Sequence, residues 1–396
     1  MEKKISPFTR AVHAGDRKKA PAAIPVTTPI VTASSYLYER AADLDRVFSG
    51  EEEGFAYARY DNPTAHALEE LVTNLEGGFG ALATCSGMSA LQVALQTALT
   101  DRRKSVVAAS ALYGASINLL NTVFEQAGVE TTWVDICDLS AVEAAITSAK
   151  PGCVLMETVS NPLLRVGAVD RVAQLAGAAN AALVVDNTFT TPLLMRPLEL
   201  GAHLVVHSLT KYLAGHGDVL GGIVVSDEGH FGLLRTLAKV CGPNLGPFES
   251  YLSMRGIKTF PLRMERQCSN AVKVAASLSA NSRVAKVNFP GNADHPDRET
   301  IGRLLPPEMF GAMVSFEIKD AGQAEVFAFM DRLRLVLRGT SLGDVHSLLL
   351  YPAMASHRDL SPKQRQHSGI GDNLVRLSVG IEAVEDIIAD LEQALI

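Results

Sequence analysis

The sequence predicts an α/β protein: a central, mostly parallel sheet with helices on both faces, followed by a smaller α+β domain. Three observations predict it. Short apolar runs alternate with helix-patterned stretches from about residue 65 to about residue 210, the pattern of parallel strands joined by crossover helices. The texture changes after Gly242-Pro243-Asn244, where one long helical pattern gives way to scattered strands. A length of 396 residues also implies two or three domains. The expected division is an arm over 1–60, a larger domain over 61–250 and a C-terminal domain over 251–396.

Each element follows from its pattern. Residues 1 to about 60 read as irregular, because Pro21, Pro25 and Pro29 interrupt any long helix. Such an arm needs a surface to pack on, supplied by its own body or by a partner subunit. Ala67, Leu68, Leu71, Val72 and Leu75 share one face of a helix that ends at Gly77-Gly78. A second helix is expected over 89–99, a buried strand over 105–109 and a helix over 117–126. Short apolar strands follow at 131–135, 153–157, 183–186 and 204–207, with helices over 142–149 and 169–179 between them. Residues 251–281 read as one long helix interrupted near Pro261. Residues 313–318 alternate like a half-exposed strand, 375–379 is another strand, and 383–395 is an amphipathic closing helix.

Composition excludes several classes. Hydrophobic residues are 47% and charged residues 20%, ordinary for a globular protein with a sizeable core. A net charge of -7 argues against a nucleic-acid partner, which favours a basic excess. No apolar stretch suits a secretory signal or a membrane span, so a cytoplasmic protein is expected. The five cysteines, Cys85, Cys137, Cys153, Cys241 and Cys268, form no CxxC pair and are odd in number. That reads as free thiols in a reducing compartment, without a metal site. No GxGxxG follows the first strand, which disfavours a nicotinamide-binding Rossmann enzyme.

The chemistry gathers at predicted strand ends, where ligands of parallel sheets bind. His207-Ser208-Leu209-Thr210-Lys211-Tyr212 puts two hydroxyls and a lysine beyond one strand. A lysine there is ordinarily a surface charge, so its neighbours carry the argument. Asp186 ends the strand Leu183-Val184-Val185 and, taken alone, reads equally well as a turn residue. Beside a lysine that carries pyridoxal 5'-phosphate (PLP), the carboxylate has a defined role, keeping the pyridine nitrogen protonated so that the ring accepts electrons. Ser86-Gly87-Met88-Ser89 opens an apolar helix, where a glycine and free N–H groups suit a phosphate, though Ser is also an ordinary N-cap. Arg376 sits in the apolar strand Leu374-Val375-Arg376-Leu377-Ser378, and a buried guanidinium needs an acid, either a structural one or a substrate carboxylate.

Together these segments resemble the Cys/Met-metabolism (trans-sulfuration) family of PLP-dependent enzymes. That family includes cystathionine γ-lyase, methionine γ-lyase, cystathionine γ-synthase and the homoserine-ester sulfhydrylases. The resemblance runs from Thr9-Arg10-Ala11-Val12-His13-Ala14-Gly15 to Leu374-Val375-Arg376-Leu377-Ser378-Val379-Gly380. Its longest stretch is Val185-Asp186-Asn187-Thr188-Phe189 followed by His207-Ser208-Leu209-Thr210-Lys211-Tyr212-Leu213. It implies the type I, aspartate-aminotransferase-like PLP fold. It also implies that Lys211 holds the cofactor as a Schiff base and later shuttles protons, and that Asp186 pairs with the pyridine nitrogen. Ser86, Gly87, Met88, Ser208 and Thr210 surround the phosphate, with Thr188 beside them. Tyr113 stacks on the ring and acts at the leaving atom, and Asn161 sits by the ring hydroxyl. Ser341 and Arg376 hold the substrate carboxylate, with Glu157 on the substrate side. Tyr57 and Arg59 reach the phosphate of a neighbouring subunit, which implies a homo-oligomer, expected as a tetramer with shared sites.

Three positions depart from the family's pattern. Val159 stands where proline is common, which alters a turn. Ala115 replaces the cysteine of methionine γ-lyases, and His346 replaces the glutamate that receives the distal ammonium of cystathionine. The resemblance favours a carbon–sulfur lyase acting on cystathionine, homocysteine or methionine by α,γ- or α,β-elimination. The second reading is γ-replacement on an acetyl- or succinyl-homoserine. The apparently complete set of Lys211, Asp186, Tyr113 and Arg376 disfavours a third, a catalytically silent binding relative.

Overall fold

A computed structural model describes residues 23–355, 358 and 369–395, so the motif at 9–15 and Pro21 lie outside the described residues. In chain order the first part contains α1 (Ala41–Ser49), α2 (Pro63–Glu76), β1 (Gly80–Thr84), α3 (Gly87–Leu99), β2 (Ser105–Ala109), α4 (Gly114–Leu119), β3 (Glu130–Val134), α5 (Leu139–Ala149), β4 (Cys153–Glu157), α6 (Val169–Ala178), β5 (Ala182–Asp186), α7 (Thr191–Leu194), β6 (Leu204–Ser208), β7 (Gly222–Ser226) and α8 (Glu228–Cys241). The second part contains α9 (Pro247–Ile257), α10 (Phe260–Ala280), β8 (Val284–Asn288), α11 (Arg298–Leu304), β9 (Met313–Ile318), α12 (Gln323–Arg332), β10 (Leu337–Arg338), β11 (Leu348–Leu350), β12 (Leu374–Ser378) and α13 (Val384–Ala394).

The first seven strands form one sheet in the order β1-β7-β6-β5-β4-β2-β3. Only β7 runs against its neighbours, pairing antiparallel with β1 and β6. The central strands are rich in valine and buried along their length, as a sheet covered on both faces requires. Their helices start and stop on local chemistry. The Asn62 side chain accepts the N–H groups of Thr64 and Ala65 with Pro63 in the first turn, and Gly77 ends α2 at φ +74°. A second sheet, β10-β11-β12-β9-β8, lies against α10, α12 and α13.

Helix α10 serves both cores. Phe260, Met264 and Cys268 join the core of the first sheet, whereas Ala271, Val274, Ala275 and Leu278 join the second. Residue 250, the expected domain boundary, falls inside α9.

The structure corrects four expectations. The arm is not wholly irregular, since α1 forms once its prolines are passed. The long helix over 251–281 is interrupted where expected, but fully: it is two helices, and Pro261 lies in the first turn of the second, where its missing N–H costs nothing. The strand at 313–318 alternates but is not half-exposed. Val314, Phe316 and Ile318 face the second core, while Met313 enters the first and Ser315 donates to Pro162 O at 2.6 Å. Its polar face is covered by the other sheet's domain instead of by water. Strands β1, β7, β8, β10 and β11 were not anticipated: β1 is the short, alanine-rich Gly80-Ala81-Leu82-Ala83-Thr84, β7 follows a glycine-rich turn, β8 is a largely unburied edge strand, and β10 and β11 are only two and three residues long. Among the described residues no helix is long and apolar enough to cross a membrane.

The close approach of β7 to the start of α3 sets the floor of the site described below. A Cβ on Gly222 would lie 2.2 Å from Ser86 O. Gly222→Ala should therefore destabilise the protein by about 1–3 kcal/mol, the usual cost of overpacking. Urea unfolding should show a lower midpoint at unchanged slope; an unchanged midpoint would mean that the contact relaxes freely.

Candidate active site

Five strand ends meet at the carboxyl edge of the first sheet. β1 leads into Ser86 and Gly87, β2 into the turn bearing Tyr113, β4 ends on Glu157, β5 on Asp186, and β6 on Ser208 just before Thr210 and Lys211. From the second sheet, β12 adds Arg376. These side chains, with Met88, Asn161 and Thr188, line one cavity of about 230 Å³. Ser341 joins them through a hydrogen bond that Lys211 Nζ donates to its Oγ at 2.9 Å.

Local structure builds the walls. Ser86 caps α3, its Oγ accepting the Ser89 N–H at 3.1 Å. The next N–H groups, at Gly87 and Met88, have no carbonyl one turn back within the helix and face the cavity's end with the helix dipole. Gly87 packs so tightly that a Cβ there would lie 2.9 Å from that of Ser208. Thr188 Oγ1 accepts the Ser208 N–H at 3.0 Å, which ties β6 to β5. Thr210 Oγ1 accepts the Gly221 N–H at 3.0 Å. Past Lys211, the buried Arg263 guanidinium donates to Tyr212 O at 2.9 Å and Leu213 O at 3.1 Å, fixing the turn that carries the lysine.

Electrostatics are set by burial. Lys211 is pushed down to about 8 by desolvation and, second, by the Arg376 charge. Arg376 is 3% exposed and is lowered to about 10 by burial. It donates to Asn161 Oδ1 and to Ser341 O, both at 3.1 Å, while its Nε has no partner. No carboxylate among the described residues pairs with it, so the structural salt bridge considered for this arginine is absent there. Asp186 and Glu157 are register neighbours on adjacent strands. Burial raises both; the Thr188 hydroxyl and N–H hold Asp186 back, and the Tyr113 N–H, 2.6 Å from Glu157 Oε1, opposes the rise of Glu157.

Residues 8–396 match the profile of the family described as Cys/Met metabolism PLP-dependent enzymes. The chain belongs to this family. Among curated relatives, an L-methionine gamma-lyase of Fusobacterium nucleatum subsp. polymorphum is 39% identical over 99% of this chain and 98% of its own length. An O-succinylhomoserine sulfhydrylase of Pseudomonas aeruginosa is 37% identical over 98% of this chain and 94% of its own. The solved cystathionine gamma synthase of Xanthomonas oryzae in complex with cystathionine superposes with a TM-score of 0.88 at 37% identity, covering 99% of this chain and 98% of that one.

As a family enzyme the protein uses PLP, and its cavity fits that group on its own evidence. A glycine cradle that excludes any Cβ, two hydroxyls and a helix start suit a phosphate. A buried amine of lowered pKa suits an aldehyde, and an unsatisfied buried guanidinium suits a carboxylate. Two expected residues stay outside. Tyr57 is 44% exposed, and Arg59 stacks on Tyr60 at 4.9 Å and donates to Lys239 O. His346 lies with its Nδ1 2.9 Å from Asp344 Oδ1 and is 61% exposed. Sequence reading missed the apolar walls Leu91, Phe189, Leu220 and Leu342, and also Thr340. Only Phe189 carried a signal, as the last residue of the Asp186 motif.

The lowered Lys211 makes a prediction for the cofactor-free protein. Only a neutral amine acylates, so lowering the pKa moves reactivity down in pH. Acetylation of Lys211, followed by peptide mass spectrometry, should reach half its plateau rate near pH 8. A lysine of ordinary pKa, about 10.4, would still be gaining rate at pH 10, and such behaviour at Lys211 would contradict the burial argument.

Proposed function

We propose that this chain is a PLP-dependent carbon–sulfur lyase that carries out α,γ- or α,β-elimination on a sulfur-containing amino acid such as cystathionine, homocysteine or methionine. One observation carries the reading: Lys211 Nζ and the Arg376 guanidinium meet at the same residue, Ser341, by its Oγ and its carbonyl. An amine and a carboxylate-binding cation one residue apart suit an α-amino acid held by its carboxylate with Cα beside the amine.

In this reading Lys211 holds the cofactor, Asp186 faces the ring nitrogen, and Asn161 the ring hydroxyl. Ser86, Gly87, Met88, Thr188, Ser208 and Thr210 surround the phosphate. When bound, the cofactor supplies an electron sink beside the substrate Cα. The neutral Lys211 amine takes the Cα proton, and burial, which lowers the group to about 8, brings a working fraction of it into that form near physiological pH. For a γ leaving group Lys211 would first hand that proton on to the cofactor-bound substrate, away from Cα, and the neutral amine would then take a Cβ proton. Tyr113 gives a proton to the departing sulfur. Arg376 and Ser341 fix the carboxylate, and Glu157 lines the same cavity. Water completes the reaction to thiol, 2-oxo acid and ammonia.

The methionine gamma-lyase relatives support elimination. The sulfhydrylase and the cystathionine gamma synthase support the second reading, γ-replacement on an activated homoserine with a thiol. Ala115 and His346 leave both readings open where specificity is set. We further place the chain in the cytoplasm, consistent with five free cysteines. We also read it as a homo-oligomer, a tetramer with sites shared between subunits. Tyr57 and Arg59 lie outside their own cavity, and Leu220, on the cavity wall, is 64% exposed; a neighbouring subunit that covers one site and receives the other's arm accounts for both.

Two experiments test these readings. Purified enzyme is incubated with cystathionine, methionine, homocysteine, or acetyl- or succinyl-homoserine, with and without a thiol. Elimination gives oxo acid and ammonia without thiol; a thioether formed only from ester plus thiol would reassign the enzyme to replacement. Arg59→Ala should weaken cofactor retention by about tenfold or more, the loss of one charge-assisted hydrogen bond worth about 1.5–3 kcal/mol. Equal retention in the variant and the parent would defeat the shared site.

A further inference from the structure

Glu157 is the charged-type side chain of the cavity with the least to do in the reading above. It ends β4 in register with Asp186 on β5, so two carboxyl groups share one buried edge of the sheet. It also stands between two cavities, lining the site and a neighbouring space of about 510 Å³. Each carboxyl group accepts one backbone N–H, and Asp186, with the Thr188 N–H at 2.9 Å, also faces the protonated ring nitrogen in the reading above. Glu157 has the Tyr113 backbone N–H, at 2.6 Å.

We infer that Glu157 is a positioning residue for Tyr113: a neutral carboxylic acid whose carbonyl oxygen accepts the Tyr113 N–H and sets the tyrosine over the cavity, leaving Asp186 as the cavity's single carboxylate. This rests on the reading of Tyr113 and Asp186 given above. The groups that face Glu157 agree with it. On β5 there is Asp186, a like charge that opposes ionisation. Lys211 beyond β6 and Arg376 on β12 line the same cavity, but Arg376 is turned to Asn161 and Ser341. Across the second cavity stand Asp135, Cys137 and Arg165, the last held by Asp297 at 2.7 Å. β2, on the other side of β4, carries no titratable side chain. Burial first and Asp186 second push Glu157 well above the carboxylate range. Tyr113 is the residue just ahead of α4, and its backbone N–H is held by this acid at the point where the helix begins.

The test compares Glu157→Gln, which keeps a neutral acceptor of the same shape, with Glu157→Ala, which removes it. Three readouts are taken on each: cofactor dissociation constant from the apoprotein, the pH midpoint of the bound-cofactor absorbance, and kcat against KM. Glu157→Gln should keep the midpoint and hold kcat within about twofold. Glu157→Ala should bind cofactor and substrate within about threefold of the parent yet lose kcat by on the order of tenfold to a hundredfold, the cost of a misplaced group. A midpoint moved by about half a pH unit or more in the Gln variant would show an ionised Glu157 and overturn the inference. So would equal losses in both variants, or an unimpaired Ala variant. Lys211→Ala run alongside separates the two claims: if it keeps the absorbance band, the reading of the site fails and takes this inference with it, whereas the Glu157 outcomes bear on the inference alone.

Discussion

A guanidinium buried without a carboxylate is the constraint on which the site depends. Desolvating Arg376 is costly, and the protein offsets it only in part, with two oxygens from two different places: Asn161 on the loop after β4 and Ser341 ahead of β11. Those two bonds pin the first sheet's edge to the second sheet. The rest of the seam follows the same line. Ser315 Oγ donates to Pro162 O, His295 Nε2 lies 3.1 Å from Leu164 O, and Asp297 holds Arg165 and the Val166 N–H. The loop over 160–166 is thus gripped along its length by the C-terminal part, and the Arg376 Nε is left without a partner. The same cation adds to burial, the larger cause, in lowering Lys211, so the charge that lacks a carboxylate also bears on the amine.

How the site reads in the sequence depends on how local its causes are. Asp186, Ser208 and Lys211 were legible because a strand end is a sequence feature, and the parallel sheet brings such ends to one edge. Ser86 and Gly87 were legible as a cap and a close approach. Tyr57 and Arg59 carried a motif but no geometry, since what they reach lies beyond their own chain's cavity in the reading proposed. The covered polar face of β9 was illegible for a related reason. Alternation reports that a strand has two unlike faces, not whether water or another sheet meets the second. Strand β7 was hidden because a reversed strand of five residues after a glycine-rich turn has no helix on one side to mark it.

The departures from the family's pattern take physical form. His346 does not project alone where the family's glutamate would. Its backbone N–H and ring both turn to Asp344, whose carboxylate is itself set by the close approach of Gly217. The loop from 340 to 347 is further fixed by Glu382, which accepts the Ser347 N–H at 2.6 Å, and by Gln267, which donates to Asp344 O at 2.7 Å. His346 thus sits on a rigid turn, and Ala115, half-buried in α4 two residues after Tyr113, leaves room where a larger side chain would stand.

Helix α10 has a consequence for how the protein comes into being. Its first half completes the core of the larger sheet, and Met313 on β9 is buried in that same core. Although the seven strands end at Ser226, their hydrophobic interior stays unfinished until Met313 and Leu342 have been made. On the ribosome, where domains tend to fold as they emerge, the first sheet of this chain waits for the second to begin. Cutting the chain between the two sheets would open the larger one's interior where Phe260, Met264, Cys268 and Met313 now close it.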